Sequence, residues 1–322
     1  MTTTAPPALR TPAHRAFWAL VALSLRRQWR VRGMGFVAFS LLAVLAVIVA
    51  LLTNAPAGWG LPGRYSFRFQ AEVRHVPNHL DLVQMSPGSA EQLGVRAALF
   101  SPLRTVLSDP KFLDDWAFLN FARWAVFAML LTFYLPLVTL AYASSGLGAE
   151  REGRTLIWLT TRPLPRWAIY LAKFLGGLPW CLLAGVGGFV VLCLAGGDLG
   201  RRALVAFGPT VVGVTVAFAA LFHLLGALFR RPAVVGLVYI FFFETLVANL
   251  PGSLKQLSLN YYARSLLYHD AVGAVTAVSP ANLEVYAPAD PGGAWLTLGA
   301  ATVVFTLFGM WRFGAQEVGE GD

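Results

Sequence analysis

One short segment of the chain, residues 150–167, holds closely spaced ionisable side chains. It contains two acids and four arginines around a Gly-Arg-Thr step, then a short apolar run and a proline-flanked turn. This mixture of side chains is more typical of ion pairing and protein docking than of catalysis. Such a segment either lies along a membrane surface with its apolar side against a helical bundle, or serves only to fix topology. From the residues alone, both interpretations stand.

Polar residues inside otherwise apolar stretches are the other candidates for chemistry. Ionisable groups in a membrane are expensive and often functional, so they are candidate contacts along a substrate path. A carboxylate near the centre of a span costs at least about 2.5 kcal/mol on insertion scales, which makes the glutamate the strongest candidate, and we expect it in the outer half of its span. Packing by the histidine and helix capping by the asparagine are the alternatives. The residues are Arg123, His223, Glu244 and Asn249.

The sequence lacks the motifs that an enzyme of this size would need. His223 is accompanied by no Gly-x-Ser-x-Gly elbow and no His-Glu-x-x-His, and no Gly-x-x-x-x-Gly-Lys-[Ser/Thr] loop is available to cradle phosphates. Cys181 and Cys193 share one apolar stretch and predict neither a disulfide nor a metal site. We therefore predict no catalytic residue, metal or bound cofactor. An intramembrane enzyme and a nontransporting scaffold or channel remain as alternatives.

The composition is that of a membrane protein. Of 322 residues, 57% are hydrophobic and 13% charged, with a mean hydropathy of +0.62, whereas soluble domains carry about 25% charged residues. The net charge of +9 would suggest nucleic acid in a soluble protein. Here six arginines precede the first apolar span without an acid, which indicates a cytoplasmic flank facing anionic lipid headgroups.

Apolar stretches of spanning length predict an all-α polytopic membrane protein with six transmembrane helices. An amphipathic interfacial helix over 14–32 should precede them, a small extracytoplasmic domain over 54–117 should separate the first two, and an external segment over 251–293 should precede the last. The predicted spans are residues 36–53, 121–143, 168–194, 203–229, 233–250 and 294–312, with a cytoplasmic loop over 149–167.

The distribution of arginines predicts how this single domain is oriented in the membrane. The N-terminal arm, the 149–167 loop and the Arg230-Arg231 turn carry six, four and two arginines, whereas the long external loop carries little weight. Both termini are therefore predicted to be cytoplasmic. A bacterial plasma (inner) membrane is the expected location.

The 149–167 loop resembles the signature of ABC-2-type transporter permeases, Glu-x-x-x-Gly-Thr-Leu-x-x-Leu followed by Pro, Arg and Gly-Lys. Arg154 stands between the glycine and the threonine, and Ala172 stands where a glycine often precedes the lysine. The layout of spans and loops is similar over nearly the entire chain. The matching residues are Glu150, Glu152, Gly153, Thr155, Leu156, Leu159, Pro163, Arg166 and Lys173.

The resemblance implies a permease subunit, most simply of an exporter, that forms a translocation path through the lipid bilayer. It implies a separate P-loop ATPase that holds ATP-Mg on the cytoplasmic side, and a second permease copy or homologue, with no nucleic acid involved. It also implies that the loop couples the two proteins by docking in a groove of the ATPase. The coupling residues would be Glu150, Arg151, Glu152, Gly153, Arg154, Thr155, Leu156, Leu159, Arg162, Pro163, Arg166 and Lys173.

Overall fold

The computed structural model describes residues 13–29, 32–54, 110–152, 164–247, 253–275 and 288–315, and these are almost entirely helical. A π-helical stretch, Ala122–Tyr134, joins α3 to α4, a second one, Ile240–Leu246, follows α7, and a 3-10 turn, Leu254–Leu257, precedes α8. The α-helices are α1 (Ala13–Trp29), α2 (Arg32–Asn54), α3 (Pro110–Phe121), α4 (Leu135–Glu152), α5 (Arg166–Ala195), α6 (Gly197–Leu228), α7 (Pro232–Tyr239), α8 (Leu259–Ala274) and α9 (Pro291–Ala315).

Five helices among the described residues are long and apolar enough to cross a membrane, which confirms the helical multi-pass architecture. The apolar helix Pro232–Leu246 is shorter than the roughly 20 residues a crossing needs, so a span over 233–250 remains a prediction. The extracytoplasmic domain over 54–117 lies largely outside the described residues. The five spans are Gly35–Thr53, Ala117–Gly146, Arg166–Ala195, Gly197–Leu228 and Pro291–Ala315.

Helix α6 is the centre of the bundle. It is buried along most of its length, and its Phe207 ring stacks on Phe118 of α3 with centroids 5.6 Å apart. Such aromatic pairs add stabilisation beyond the area they bury. Helices α4, α5, α8 and α9 pack around α6. Because the interior is close-packed, a displacement of one of these helices shifts α6 and, through it, the others.

Helix α1 packs against α4 and α5 of the bundle rather than standing apart from it. Its Ser24 lies so close to α5 that a Cβ added to Gly176 would be 2.6 Å from Ser24 Cβ. Gln28 Nε2 donates to the Tyr142 carbonyl oxygen at 3.2 Å, and Trp180 Nε1 donates to the Leu25 carbonyl oxygen at 3.0 Å. Hydrogen bonds in both directions therefore fix α1 to α4 and α5.

At the other end of the bundle, Arg202 joins three helices. Its Nη2 lies 2.6 Å from Asp115 Oδ1 and donates to the Ala274 carbonyl oxygen at 3.1 Å. The guanidinium also lies 4.6 Å from the centre of the Phe118 ring. Because Asp115 is buried, this pair holds the start of α6 against α3 and the end of α8.

The tight turn between α5 and α6 gives a first prediction. Gly197 has a φ of +58°, and a Cβ at Gly200 would be 1.8 Å from the Cys193 carbonyl oxygen. Since backbone cannot yield as a side chain can, Gly200→Ala should open the turn and lower stability by about 1–3 kcal/mol. Gly208→Ala is the control, because open space surrounds that position and alanine favours the helix. Equal midpoints of thermal unfolding for the two variants would contradict this.

Candidate functional site

The predicted coupling loop joins α4, which ends at Glu152, to α5, which begins at Arg166. Lys173, two turns into α5, is only 2% exposed and acts electrostatically on His223. The loop thus leads directly into a buried cationic position. For Glu150, Arg151 and Glu152 only the backbone is described, and Gly153, Arg154, Thr155, Leu156, Leu159, Arg162 and Pro163 lie outside the described residues.

Beside the ends of this loop, four helices meet in a cluster that we call the junction. Tyr170 is its centre, since the ring lies 4.7 Å from the His223 ring and 6.2 Å from the Phe313 ring. Helix α9 comes so close that a Cβ at Gly309 would be 2.1 Å from Tyr170 Oη. The buried members of the junction, from α1, α5, α6 and α9, are Leu20, Ile169, Tyr170, Ala172, Ala227 and Phe313.

His223 connects the two helices that flank the loop. Its Nδ1 lies 3.3 Å from the Ala143 carbonyl oxygen in α4, and its Nε2 lies 3.3 Å from the Tyr170 carbonyl oxygen in α5. A neutral imidazole donates from only one nitrogen, whereas an imidazolium donates from both. The residue therefore ties α6 to α4, to α5, or to both. This arrangement favours the packing interpretation of His223 over a contact with cargo.

The contacts of His223 give a second prediction. His223→Phe keeps an aromatic ring but removes every hydrogen bond that the imidazole donates, so we expect stability to fall by about 0.5–1.5 kcal/mol and amide exchange to rise near Ala143, near Tyr170 or at both. His269→Phe is the matched control, because His269 binds the Ala289 carbonyl oxygen at 3.0 Å elsewhere in the chain. Hydrogen exchange that rises equally at the junction in both variants would refute a specific tie.

The carboxyl group of Glu244 is buried and accepts hydrogen bonds from four donors. Tyr239 Oη donates to Oε1 at 2.5 Å and Ser258 Oγ donates to Oε2 at 2.6 Å. The backbone nitrogens of Leu259 and Asn260 donate at 3.2 and 2.8 Å. Two of these four donors are the first backbone N–H groups at the N-terminus of α8, where a carboxyl group is well placed to accept. Glu244 therefore acts as an anchor for α8.

The position of α8 places this anchor near the middle of the bundle. Asn260, at the start of α8, donates from Nδ2 to Thr132 Oγ1 at 3.3 Å, and Thr132 is midway along the span Ala117–Gly146. The far end of α8 meets Arg202 at the opposite end from the junction. Helix α8, which belongs to the predicted external segment, thus enters the bundle.

The four candidate path residues do not form one site. His223 is at the junction, Glu244 is at mid-depth, and Arg123 is exposed with its guanidinium 5.5 Å from the centre of the Trp124 ring. Asn249 lies outside the described residues. Sequence reasoning missed Thr132 and Asn260. The available signal was Ser258, a residue type that favours the N-cap of a helix. In the structure its hydroxyl accepts from the Tyr261 backbone nitrogen at 3.3 Å at the start of α8.

The described helices form a bundle of spanning length and composition, as in a multi-pass membrane protein. Residues 92–248 match a family model described as ABC-2 family transporter protein. The match covers just under half of the chain and supports a permease of an ABC transporter, a class of membrane component that associates with an ABC ATPase. The matched region includes the coupling loop, Tyr170, His223 and Glu244. No curated protein matches the chain at a significant level.

Proposed function

We propose that this permease exports its cargo and that a separate ATPase drives it by docking on the 149–167 loop. The observation that carries the proposal is the junction. His223 of α6 lies within hydrogen-bond distance of both helices that flank the loop, and α1 and α9 pack against α5 and α6 in the same cluster. A push on the loop therefore reaches several spans together, because packed helices move as units rather than deform continuously.

The junction also has unused hydrogen-bonding capacity. Among the described residues, four buried side-chain atoms have no hydrogen-bond partner, and three of them are at or beside the junction: Ser24 Oγ, Gln28 Oε1 and Tyr170 Oη. A buried polar atom without a partner costs about 1–3 kcal/mol. A second arrangement of α1 and α5 that pairs these atoms would recover part of that cost. This supports a junction with two states whose balance the ATPase shifts.

Arginines support a cytoplasmic location for the junction. Positive residues are enriched on the cytoplasmic side of membrane proteins. The start of α6, at the opposite end, carries Arg201 and Arg202, and both lie near aspartates. Arginines of the described residues at the junction end include Arg15, Arg26, Arg166, Arg230, Arg231 and Arg312.

The division of labour follows from these points. ATP-Mg binds to the partner ATPase, and the permease supplies the path and the coupling surface. A second permease copy or a homologue completes the path in the bacterial inner membrane. The 92–248 family match supports an ATPase partner, while the direction of transport and the docking surface belong to this proposal.

The proposal is tested by co-purification and activity. A P-loop ATPase encoded beside this permease should co-purify with it, and its ATP hydrolysis in nanodiscs should rise several-fold over that of the isolated ATPase. A Walker A Lys→Ala variant of the ATPase is the control and should bind without hydrolysis. A permease that purifies alone and leaves the ATPase rate unchanged would refute the coupling.

A further inference from the structure

The side-chain amide of Asn260 is half-satisfied although it is deeply buried. The residue is 2% exposed, its Nδ2 donates to Thr132 Oγ1 at 3.3 Å, and its Oδ1 has no partner. Rotating the amide by 180° would exchange the two atoms and leave the nitrogen unpaired instead. In either orientation, one polar atom of this buried amide has no hydrogen-bond partner among the described residues. The amide lies at mid-depth of the bundle.

Three irregular features of the backbone coincide at this point. Thr132 lies in the π-helical stretch Ala122–Tyr134, and Glu244 lies in the stretch Ile240–Leu246. Asn260 is in the first turn of α8, a helix that begins inside the bundle. π-helical segments often mark functional sites, and helices that begin at the membrane midplane surround substrate sites in transporters. The open amide therefore lies where a path would need a contact.

The chemistry of the site favours an uncharged ligand group. The carboxylate of Glu244 already accepts from four donors, so it has little need of a cation. A hydroxyl both donates and accepts, so it pairs with the amide in either orientation. A hydrocarbon group satisfies neither orientation.

We propose that Asn260, together with Thr132, contacts an uncharged, hydroxyl-bearing group of the cargo at mid-depth of the permease. This rests on the proposed function as an exporter permease, and it adds the chemical class of the cargo group. Asn260 is not needed to hold α8 in place through its side chain. That task falls to Glu244, which receives the backbone nitrogen of Asn260 at 2.8 Å.

The first test is thermal unfolding of Asn260→Leu in nanodiscs without ATP. Because the change removes a buried carbonyl oxygen without a partner at the cost of one long hydrogen bond to Thr132, the midpoint should rise by about 2–4 °C. Asn120→Leu is the matched control, since Asn120 is 5% exposed and engaged with other groups; its midpoint should fall. A fall for Asn260→Leu comparable to that of the control would overturn the proposal, because it would show a structural amide.

The second test uses octyl glucoside as the hydroxyl-bearing probe and octyl phosphocholine, which is zwitterionic and has no hydroxyl group, as the control probe of equal chain length. Both probes are used below their critical micelle concentrations. The glucoside should raise the midpoint of thermal unfolding of the wild type by at least 2 °C more than that of Asn260→Leu. The phosphocholine should shift both proteins equally. Equal glucoside shifts in the two proteins would overturn the cargo contact. Neither test involves ATP hydrolysis, so a failure here is distinct from a failure of ATPase coupling.

Discussion

Replacing Glu244 with alanine should cost the permease about 3–5 kcal/mol of stability, the largest effect we expect from one substitution. The carboxylate accepts from Tyr239, Ser258, Leu259 and Asn260. Without it, the two backbone N–H groups at the start of α8 stay buried without a partner, and each such group costs about 1–3 kcal/mol. Helix α8 should then lose its inserted position. Thermal unfolding and hydrogen exchange at residues 259–261 measure the two effects.

Two further variants make the Glu244 prediction graded. Tyr239→Phe removes one donor and should cost about 0.5–1.5 kcal/mol. Glu244→Gln should fall between Tyr239→Phe and Glu244→Ala, because its amide nitrogen faces a hydroxyl that can reverse and a backbone N–H that cannot. Stability of Glu244→Ala within 1 kcal/mol of the wild type, with unchanged exchange in α8, would show that the carboxylate is not an anchor.

The second large effect is expected from the coupling loop. Replacing Glu152 and Arg162 together, as Glu152→Ala and Arg162→Ala, should abolish ATPase stimulation and transport while insertion and thermal stability stay normal. The reason is that the loop joins α4 to α5, that His223 contacts both of these helices, and that α5 is part of the junction, so force applied to the loop enters the bundle there. The measurements are ATP hydrolysis and vesicle transport of the purified complex.

The chain offers a matched control for this double substitution. Asp198 and Arg201 are also an acid and an arginine, separated by 3.7 Å and with side chains 90% and 83% exposed at the opposite end of the bundle. Exposed pairs of this kind contribute little to stability. Asp198→Ala with Arg201→Ala should leave ATPase stimulation intact. Equal losses in both double variants would point to a general loss of function rather than to coupling.

Hydropathy predicted most of the fold because lipid-facing helices must be apolar along their whole length. The spans around residues 36–53, 121–143, 168–194, 203–229 and 294–312 all correspond to helices long and apolar enough to cross. Hydropathy placed α8 only within an external segment, because polar residues such as Ser258 at its N-cap and Asn260 in its first turn are typical of water-facing positions. In the structure, protein partners satisfy most of the polar groups of these two residues instead.

The candidate site was predictable in part. Charge and the family signature marked the coupling loop, since those are properties of side chains. The tie through His223 had no sequence signal because its partners are the backbone carbonyls of Ala143 and Tyr170, and every residue carries such a group. The same holds for Glu244, because its cost in a membrane marked it as a candidate residue but its partners could not be derived from the sequence.

The most direct test of the account is a distance across the junction during the ATPase cycle. Spin labels at Leu23→Cys in α1 and Trp311→Cys in α9, both exposed positions, would report it after the buried Cys181 and Cys193 are replaced by alanine. ATP with vanadate should shift the distance distribution in the complex, and the Glu152/Arg162 double variant should show no shift. Identical distributions with and without the trapped nucleotide in the wild-type complex would contradict coupling through the junction.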